Sequence, residues 1–417
     1  MKISLINIYE TVIYIIVLLN LEILNLTTNL NDFSQRIAIV LSFLLASVYL
    51  FQKNKLFPKN FGVYFYIVSI SVYLFIELTR LHFSSFSGFN ILDGLNYEKS
   101  FFYLLLIMPI FEILKSKATI FIRNICYIGL VALILRFFIW LLFNKYGINI
   151  MPGLFEIHGY NWTHGGGYVR LQGTFLDGLV FTYFGIKLFK SVLIKDRIRN
   201  TVIIGFMFFY SAEVFSSRAQ IICYLVVLLV LYIWNSKDKL DAFFKCFLGL
   251  VLIMILFNLP MTKKFISSFS VNDPTYGAGS MVRVLGSQLY SNEWHNSSFL
   301  FGFGIASDEN YFGNIKYYLS DLGIISYLFE FGIVGFILFL FPMLEGILVG
   351  IKNTKDDDSL LLFLLSFYTL ISSFMSQNVY DYIRILIIPF LLGISLYVKY
   401  EQNSLKFKGR TVENEIR

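Results

Sequence analysis

GAGSMVRVLGSQLYSNEWHNSSFLFGFGIASDENYF (277–312) and then YLSDLGIISYLFEFGIVG (318–335) mark where this chain changes character. The first is rich in Gly, Ser and Asn. The second passes from Ser320 and Asp321 directly into an apolar run. The polar part belongs to a segment over about 260–318, the longest stretch between apolar blocks. Outward from it the chain is 57% hydrophobic and 15% charged, against roughly 25% charged in a soluble domain. The apolar residues fall in blocks near the length that crosses about 30 Å of hydrocarbon at 1.5 Å per residue. The composition therefore predicts an all-α, polytopic membrane protein with a large extracytoplasmic loop, in one integral domain over 1–417.

Hydropathy predicts twelve spans: 8–26, 36–52, 61–79, 101–117, 120–143, 175–194, 201–216, 218–234, 243–260, 332–351, 359–376 and 382–399, with a kink at Pro109. The first apolar block has no small-residue cleavage site after it and reads as a span. The net charge of +7 would point to nucleic acid in a soluble chain. Here it distributes over connectors. Twenty-two of the 34 basic residues fall on one alternating set and eleven on the other, with Arg136 mid-span. The richer set is expected to face the cytoplasm, with both termini inside. Both long polar connectors, 144–174 and 260–318, then lie outside, as does EVFSSRAQ around Arg218. Cys126, Cys223 and Cys246 all sit in apolar blocks without a metal-ligand spacing, so neither a disulfide framework nor a zinc site is expected. The acidic run KDDDS (355–359) reads as a helix cap on the inner side.

Several side chains on the expected outer face have the chemistry to bind an anion. Arg170, in HGGGYVRLQGTFLDG (164–178), stands where the first long connector re-enters the membrane, and guanidinium forks hold phosphate oxygens bidentately. Arg218 follows Ser216 and Ser217, either of which can cap the helix that begins there. A cation at a helix's positive end is reconciled by a bound anion. Arg283 lies among Met281, Val282, Val284 and Leu285, which suggests a short amphipathic helix over the membrane mouth. Arg384, in YDYIRI (380–385), opens the last span and has Asp381 as its plain partner. Asp321 stands at the head of an apolar helix, either as a first-turn acid or as a general base. His158, Tyr160, Trp162 and His164 form a cluster suited to stacking on sugar rings, and His295, His158, His164, Asp308 and Glu309 are rival bases. Glu213, Glu330 and Glu345 are acids in or near apolar segments that can pair with arginine.

In order and topology these elements resemble the O-antigen polymerase and O-antigen ligase superfamily of bacterial envelopes. The matching stretches are RLQGTF before a span, SSRAQ at the head of a later one, an arginine followed by FGFGIAS in a long outer loop, and SDLGIISYLFEFGIVG with Glu330, Gly332 and Gly335. The resemblance implies a GT-C-like, inverting glycosyltransferase of the inner membrane with its active site facing the periplasm. It implies an undecaprenyl-diphosphate-linked oligosaccharide as substrate, with Arg170, Arg218 and Arg283 on the donor. Asp321 stands where ligases carry a histidine, which favours a Wzy-type polymerase over a ligase acting on a lipid A-core acceptor. Membrane lipid, a chain-length regulator and a flippase of the same pathway are the implied partners, with no nucleic acid, no metal and no cofactor. A lipid-linked oligosaccharide flippase is the non-enzymatic alternative, and it would gather its charges in a central cavity instead of at outer helix ends.

Overall fold

The computed structural model describes residues 5–23, 26–53, 61–81, 91–158, 167–236, 240–241, 267, 270–272, 277–306, 309–312, 315–353, 356–375, 378–381 and 383–415. These residues are mostly helical. They form α1 (Leu5–Asn20), α2 (Thr28–Lys53), α3 (Phe61–Arg80), α4 (Ile91–Glu98), a 3-10 stretch (Lys99–Leu106), α5 (Ile107–Tyr146), α6 (Pro152–His158), α7 (Asp177–Lys190) and α8 (Ile194–Phe209). A π turn (Tyr210–Val214), α9 (Arg218–Trp234) and α10 (Gly277–Asn296) follow. A two-stranded hairpin (β1 Glu309–Phe312, β2 Ile315–Tyr318) and a 3-10 turn (Ser320–Leu322) then lead to α11 (Ile325–Gly350), α12 (Asp357–Phe374) and α13 (Ile387–Glu415).

Among the described residues five helices are long and apolar enough to cross a membrane: Asn29–Gln52, Gly62–Arg80, Gly94–Tyr146, Ile325–Gly350 and Asp357–Phe374. The chain is thus membrane-embedded, and exposed rings such as Phe43, Phe65 and Phe75 belong to surfaces suited to lipid. Helices α1 and α9 are apolar but shorter. The expected span 243–260 lies outside the described residues.

Two expectations change in detail. Spans 101–117 and 120–143 meet end to end at the expected boundary, in a helix that is broken there. Its break falls at Lys117 (φ −154°, ψ 45°), not at Pro109. The 3-10 geometry gives way to α at Ile107, so Pro109 lies in the first α turn, where its missing N–H costs no ladder bond. Lys117 instead pairs with Glu10 of α1 and reaches Asn7 Oδ1 at 3.0 Å. The polar segment after 260 is also more than a loop. Helix α10, the hairpin and the 299–306 stretch enclose a small core of Tyr290, Phe303, Ala306, Tyr317, Leu319 and Phe329.

That small core is joined to the main bundle by a broken helix. At Gly332 (φ 60°, ψ −168°) α11 leaves helical geometry, and backbone groups freed there must find partners within the protein. The FGFGIA segment supplies them. Phe303 N–H donates to Phe329 C=O (3.0 Å) and Gly304 N–H to Glu330 C=O (2.8 Å). In return Ile333 N–H donates to Phe299 C=O (3.3 Å) and Val334 N–H to Leu300 C=O (3.1 Å). The approach is too close for side chains: a Cβ at Gly302 would lie 2.2 Å from Glu330 O, and one at Gly332 would lie 2.3 Å from Leu300 O. Helix α3 clamps the other side. Arg80, paired with buried Glu77 at 2.6 Å, donates to the carbonyls of Phe301 (2.8 Å) and Gly302 (2.9 Å). Tyr73 O–H donates to Phe331 C=O at 2.5 Å.

Below the break, α11 packs on α3, α12 and α13, α12 packs on α7 and α9, and α13 packs on α5. Pro342 interrupts the α11 ladder again. Tyr380 O–H donates to the Phe339 carbonyl at 2.6 Å, and the rings of Tyr327, Phe339 and Tyr380 fill the space between. Gly332→Ala is expected to destabilise the protein by about 1–3 kcal/mol or more, because that backbone region belongs almost solely to glycine and the new Cβ meets a carbonyl. Gly205→Ala in α8, where a Cβ meets nothing within 4 Å, should hold or gain about 0.5–1 kcal/mol. Thermal unfolding of the two purified variants beside the parent checks both signs.

Candidate functional site

Two segments distant in sequence run side by side where α7 and α9 begin. Leu171 N–H donates to Val214 C=O at 3.0 Å, and Tyr210 O–H donates to Gln172 C=O at 3.1 Å. The π turn 210–214 and Ser216, in left-handed geometry at φ 50°, turn the chain into α9. Ser217 is the cap, with extended backbone and its hydroxyl accepting from Gln220 N–H at 3.3 Å, as the SSRAQ pattern predicts. Arg218 is therefore the first residue of α9. Arg170 joins the same turn, its Nε donating to Phe215 C=O (3.0 Å) and its Nη2 to Ser216 C=O (3.3 Å). Both arginines are partly exposed.

A third arginine holds the re-entrant chain from behind. Arg136 of α5 is fully buried. It donates to Gln172 C=O (2.8 Å) and Leu21 C=O (3.0 Å), and pairs with Glu22 at 2.6 Å. Close by, the Asp177 carboxylate reaches back to Thr174. Asp177 Oδ1 accepts from Thr174 N–H (2.9 Å) and Thr174 Oγ1 (2.7 Å). Gln220 of α9 donates from Nε2 to Asp177 Oδ2 (3.4 Å) and to the Tyr224 hydroxyl oxygen (2.6 Å). Asp177 and Gln220 are both buried. They line a cavity of about 30 Å³ together with Tyr368, Thr369, Ser372 and Arg384. That volume holds about two waters and no sugar ring. Arg384 lies in the turn before α13 rather than in the helix, with Nη1 on Asp381 Oδ2 at 2.9 Å, the partner its sequence context named. Sequence reading missed Asp177 and Gln220. The available signals were the T-x-x-D spacing inside RLQGTFLDG and the Gln that ends SSRAQ.

The remaining pair lies on the small core. Arg283 Nη2 is 3.3 Å from Asp321 Oδ1, with the side chains 45% and 37% exposed. Asp321 sits in the 3-10 turn, and Gly323 and Ile324 separate it from α11, whose start has no side-chain cap. It is thus not the helix's N-cap. Arg283 is carried by a helix of 20 residues, longer than the short one expected. Ile324 N–H donates to Ser373 C=O at 2.8 Å. This ties the Asp321 turn to the end of α12, next to Ser372 of the cavity. The segments carrying Arg170, Arg218, Arg384 and Asp321 thus converge around the C-terminal end of α12. His295 is exposed near the end of α10, with Nδ1 2.7 Å from Ser291 O. His158 ends α6, while Tyr160, Trp162 and His164, like Asp308, lie outside the described residues. Glu330 Oε1 accepts from Ala306 N–H at 3.3 Å and Glu345 pairs with Lys399. Glu213 is exposed. In KDDDS, Asp356 caps α12 through Ser359 N–H at 3.0 Å, and Asp357 pairs with Lys187 and Lys190 of α7. Among the described residues no group of three His, Cys, Asp or Glu is placed to hold a metal ion.

No protein-family model matches the chain, and none of the curated proteins is similar to it.

The two ion pairs differ in what they hold. Arg283–Asp321 is open to solvent, and a double-mutant cycle should return a coupling of at most about 1 kcal/mol. Arg136–Glu22 is 0% and 3% exposed, and Glu22→Gln is expected to cost about 3–5 kcal/mol by leaving a buried guanidinium uncompensated. Unfolding midpoints of the three single variants and the Arg283/Asp321 double variant read both.

Proposed function

We propose that this protein is a Wzy-type polymerase that lengthens a glycan carried on undecaprenyl diphosphate. The growing glycan moves from its lipid carrier to a hydroxyl of an incoming lipid-linked repeat unit, with inversion and without a metal. The observation that carries the reading is the convergence of the Arg170, Arg218, Arg384 and Asp321 segments around one end of α12. In this reading Arg218, at the positive end of α9, meets charge growing on the departing diphosphate. Arg170 holds the 215–216 turn that presents it, and Arg283 joins from α10. Asp321, released from Arg283, accepts the proton of the attacking hydroxyl. Helix α10 and the 299–306 stretch then cover the glycan and keep out water.

The finer topology belongs to the same reading: twelve spans in a GT-C-like arrangement in a bacterial inner membrane, both termini cytoplasmic and the arginine-bearing face periplasmic. Its support is the basic-residue asymmetry of the connectors, together with helices over the expected stretches other than 243–260.

Arg218→Ala is expected to abolish polymer while leaving membrane insertion intact, a loss of at least about 10²-fold in rate for one transition-state donor. Asp321→Asn should slow elongation about 10²–10⁴-fold. The assay is elongation of purified lipid-linked repeats by the reconstituted protein without a lipid A-core acceptor. A parent protein that leaves single repeats unextended, or an Arg218→Ala variant that yields a normal ladder, overturns the proposal.

A further inference from the structure

The cavity between α7, α9, α12 and the Arg384 turn has a lining that neither the arginine-bearing turn nor the Arg283–Asp321 pair explains. Its charged groups are one carboxylate, Asp177, and one guanidinium, Arg384. Arg384 is already paired with Asp381, so little positive charge remains for a phosphate, and the buried carboxylate repels one. A cation in turn finds the Asp177 carboxylate already accepting from Thr174 and Gln220, with the fields of Arg136 and Arg384 both reaching it. The other polar side chains are the Gln220 amide and the hydroxyl-bearing Thr174, Thr369, Tyr368 and Ser372. Most of the neutral groups already serve the fold, Gln220 donating to Asp177 and Tyr224, Thr369 to Leu365 C=O and Ser372 to Thr369 C=O, so a ligand is addressed chiefly by Asp177 as acceptor and Arg384 as donor. A neutral group that itself donates and accepts fits such a lining: an alcohol. Size narrows it further, since about 30 Å³ takes one hydroxyl or hydroxymethyl arm and not the ring that bears it. Phe175 and Ile387 supply apolar wall for the adjoining carbon.

We infer that this cavity is a subsite for a single hydroxyl or hydroxymethyl arm of a sugar, with Asp177 accepting its hydrogen bond and Arg384 donating one. That the cavity takes a hydroxyl rests on its lining. That the hydroxyl belongs to a sugar of the lipid-linked substrate rests on the function proposed above. The position agrees with that reading. Asp177 and Gln220 are the buried continuations of the two segments that carry Arg170 and Arg218, so an arm in the cavity would anchor a sugar whose diphosphate lies toward those arginines.

The test is ligand-observed NMR on the full chain in nanodiscs. The probes are methyl glycosides of glucose, galactose, mannose and N-acetylglucosamine, the 6-deoxy sugars rhamnose and fucose, and inorganic pyrophosphate. Saturation transfer to at least one glycoside is expected. It should fall at least fivefold in Asp177→Asn, which keeps an oxygen for the two bonds from Thr174, and in Thr369→Ile, which adds apolar bulk to the lining. Pyrophosphate binding should be unchanged in both. Absence of glycoside contact, or contact that survives Thr369→Ile, overturns the subsite and leaves a water-filled cavity. Glycoside binding without any pyrophosphate binding to the parent overturns the diphosphate reading and leaves the subsite standing.

Discussion

In hydrocarbon a backbone carbonyl or amide that leaves helical geometry has no water to turn to, and each orphan costs several kcal/mol. The architecture of this protein follows from how it meets that constraint. At Gly332 the freed groups of α11 are answered by four backbone hydrogen bonds from residues 299–304. The 299–304 segment is thereby fastened to the bundle by main chain, with Arg80 adding two side-chain bonds to it. The exchange forces glycine at both sides of the contact and brings α10, with its own core, into a defined place over α11.

The same problem recurs where the chain runs non-helically into α7 and α9, and there, as beside Gly332, arginines are partners. Arg136 serves the carbonyls of Leu21 and Gln172, Arg170 those of Phe215 and Ser216, and Arg80 those of Phe301 and Gly302. A guanidinium suits this work because its planar fork reaches two carbonyls at once while a nearby carboxylate can balance its charge. Glu22 and Glu77 do so for Arg136 and Arg80. Irregular backbone thus gathers at one end of α12, and irregular backbone inside a membrane protein is tolerated where it is buried or borders a cavity.

Helical class and membrane embedding were legible from block lengths of apolar residues, because a span must bury its backbone whatever its neighbours are. So was a serine cap at SSRAQ, a local signal that needs no tertiary partner, though the choice of Ser217 over Ser216 came from the structure. The break at Lys117 falls where hydropathy parted spans 101–117 and 120–143, but that Pro109 would sit unkinked in a first turn that tolerates it was not legible. Nor was the interlock of FGFGIA with Gly332. Its evidence in sequence is only a set of glycines, and what they avoid lies some thirty residues away. Asp177 and Gln220 were hidden for a related reason: each reads locally as a helix-start residue, and only the packing of α7, α9 and α12 puts them on one cavity. Asp321 was read as the head of α11 because a carboxylate before an apolar run resembles a cap, yet Gly323 and Ile324 intervene.

Counting arginines in a sequence therefore overstates the positive charge open to an anionic ligand, and the structure ranks them by what each would have to give up. Arg136 cannot be lent, since releasing Glu22 would leave two unpaired charges away from water. Arg80 and Arg170 hold carbonyls whose loss would loosen the chain around the site. Arg283 is different. Its contact with Asp321 is 3.3 Å long and open to solvent, worth at most about 1 kcal/mol, so under the proposed function its exchange for a bidentate phosphate contact is downhill. That exchange has a second effect, because it frees the Asp321 carboxylate at the moment an anion arrives. Binding of the charged group and uncovering of the nearby carboxylate are then one event, and this coupling follows from the exposure of the pair rather than from the identity of either residue.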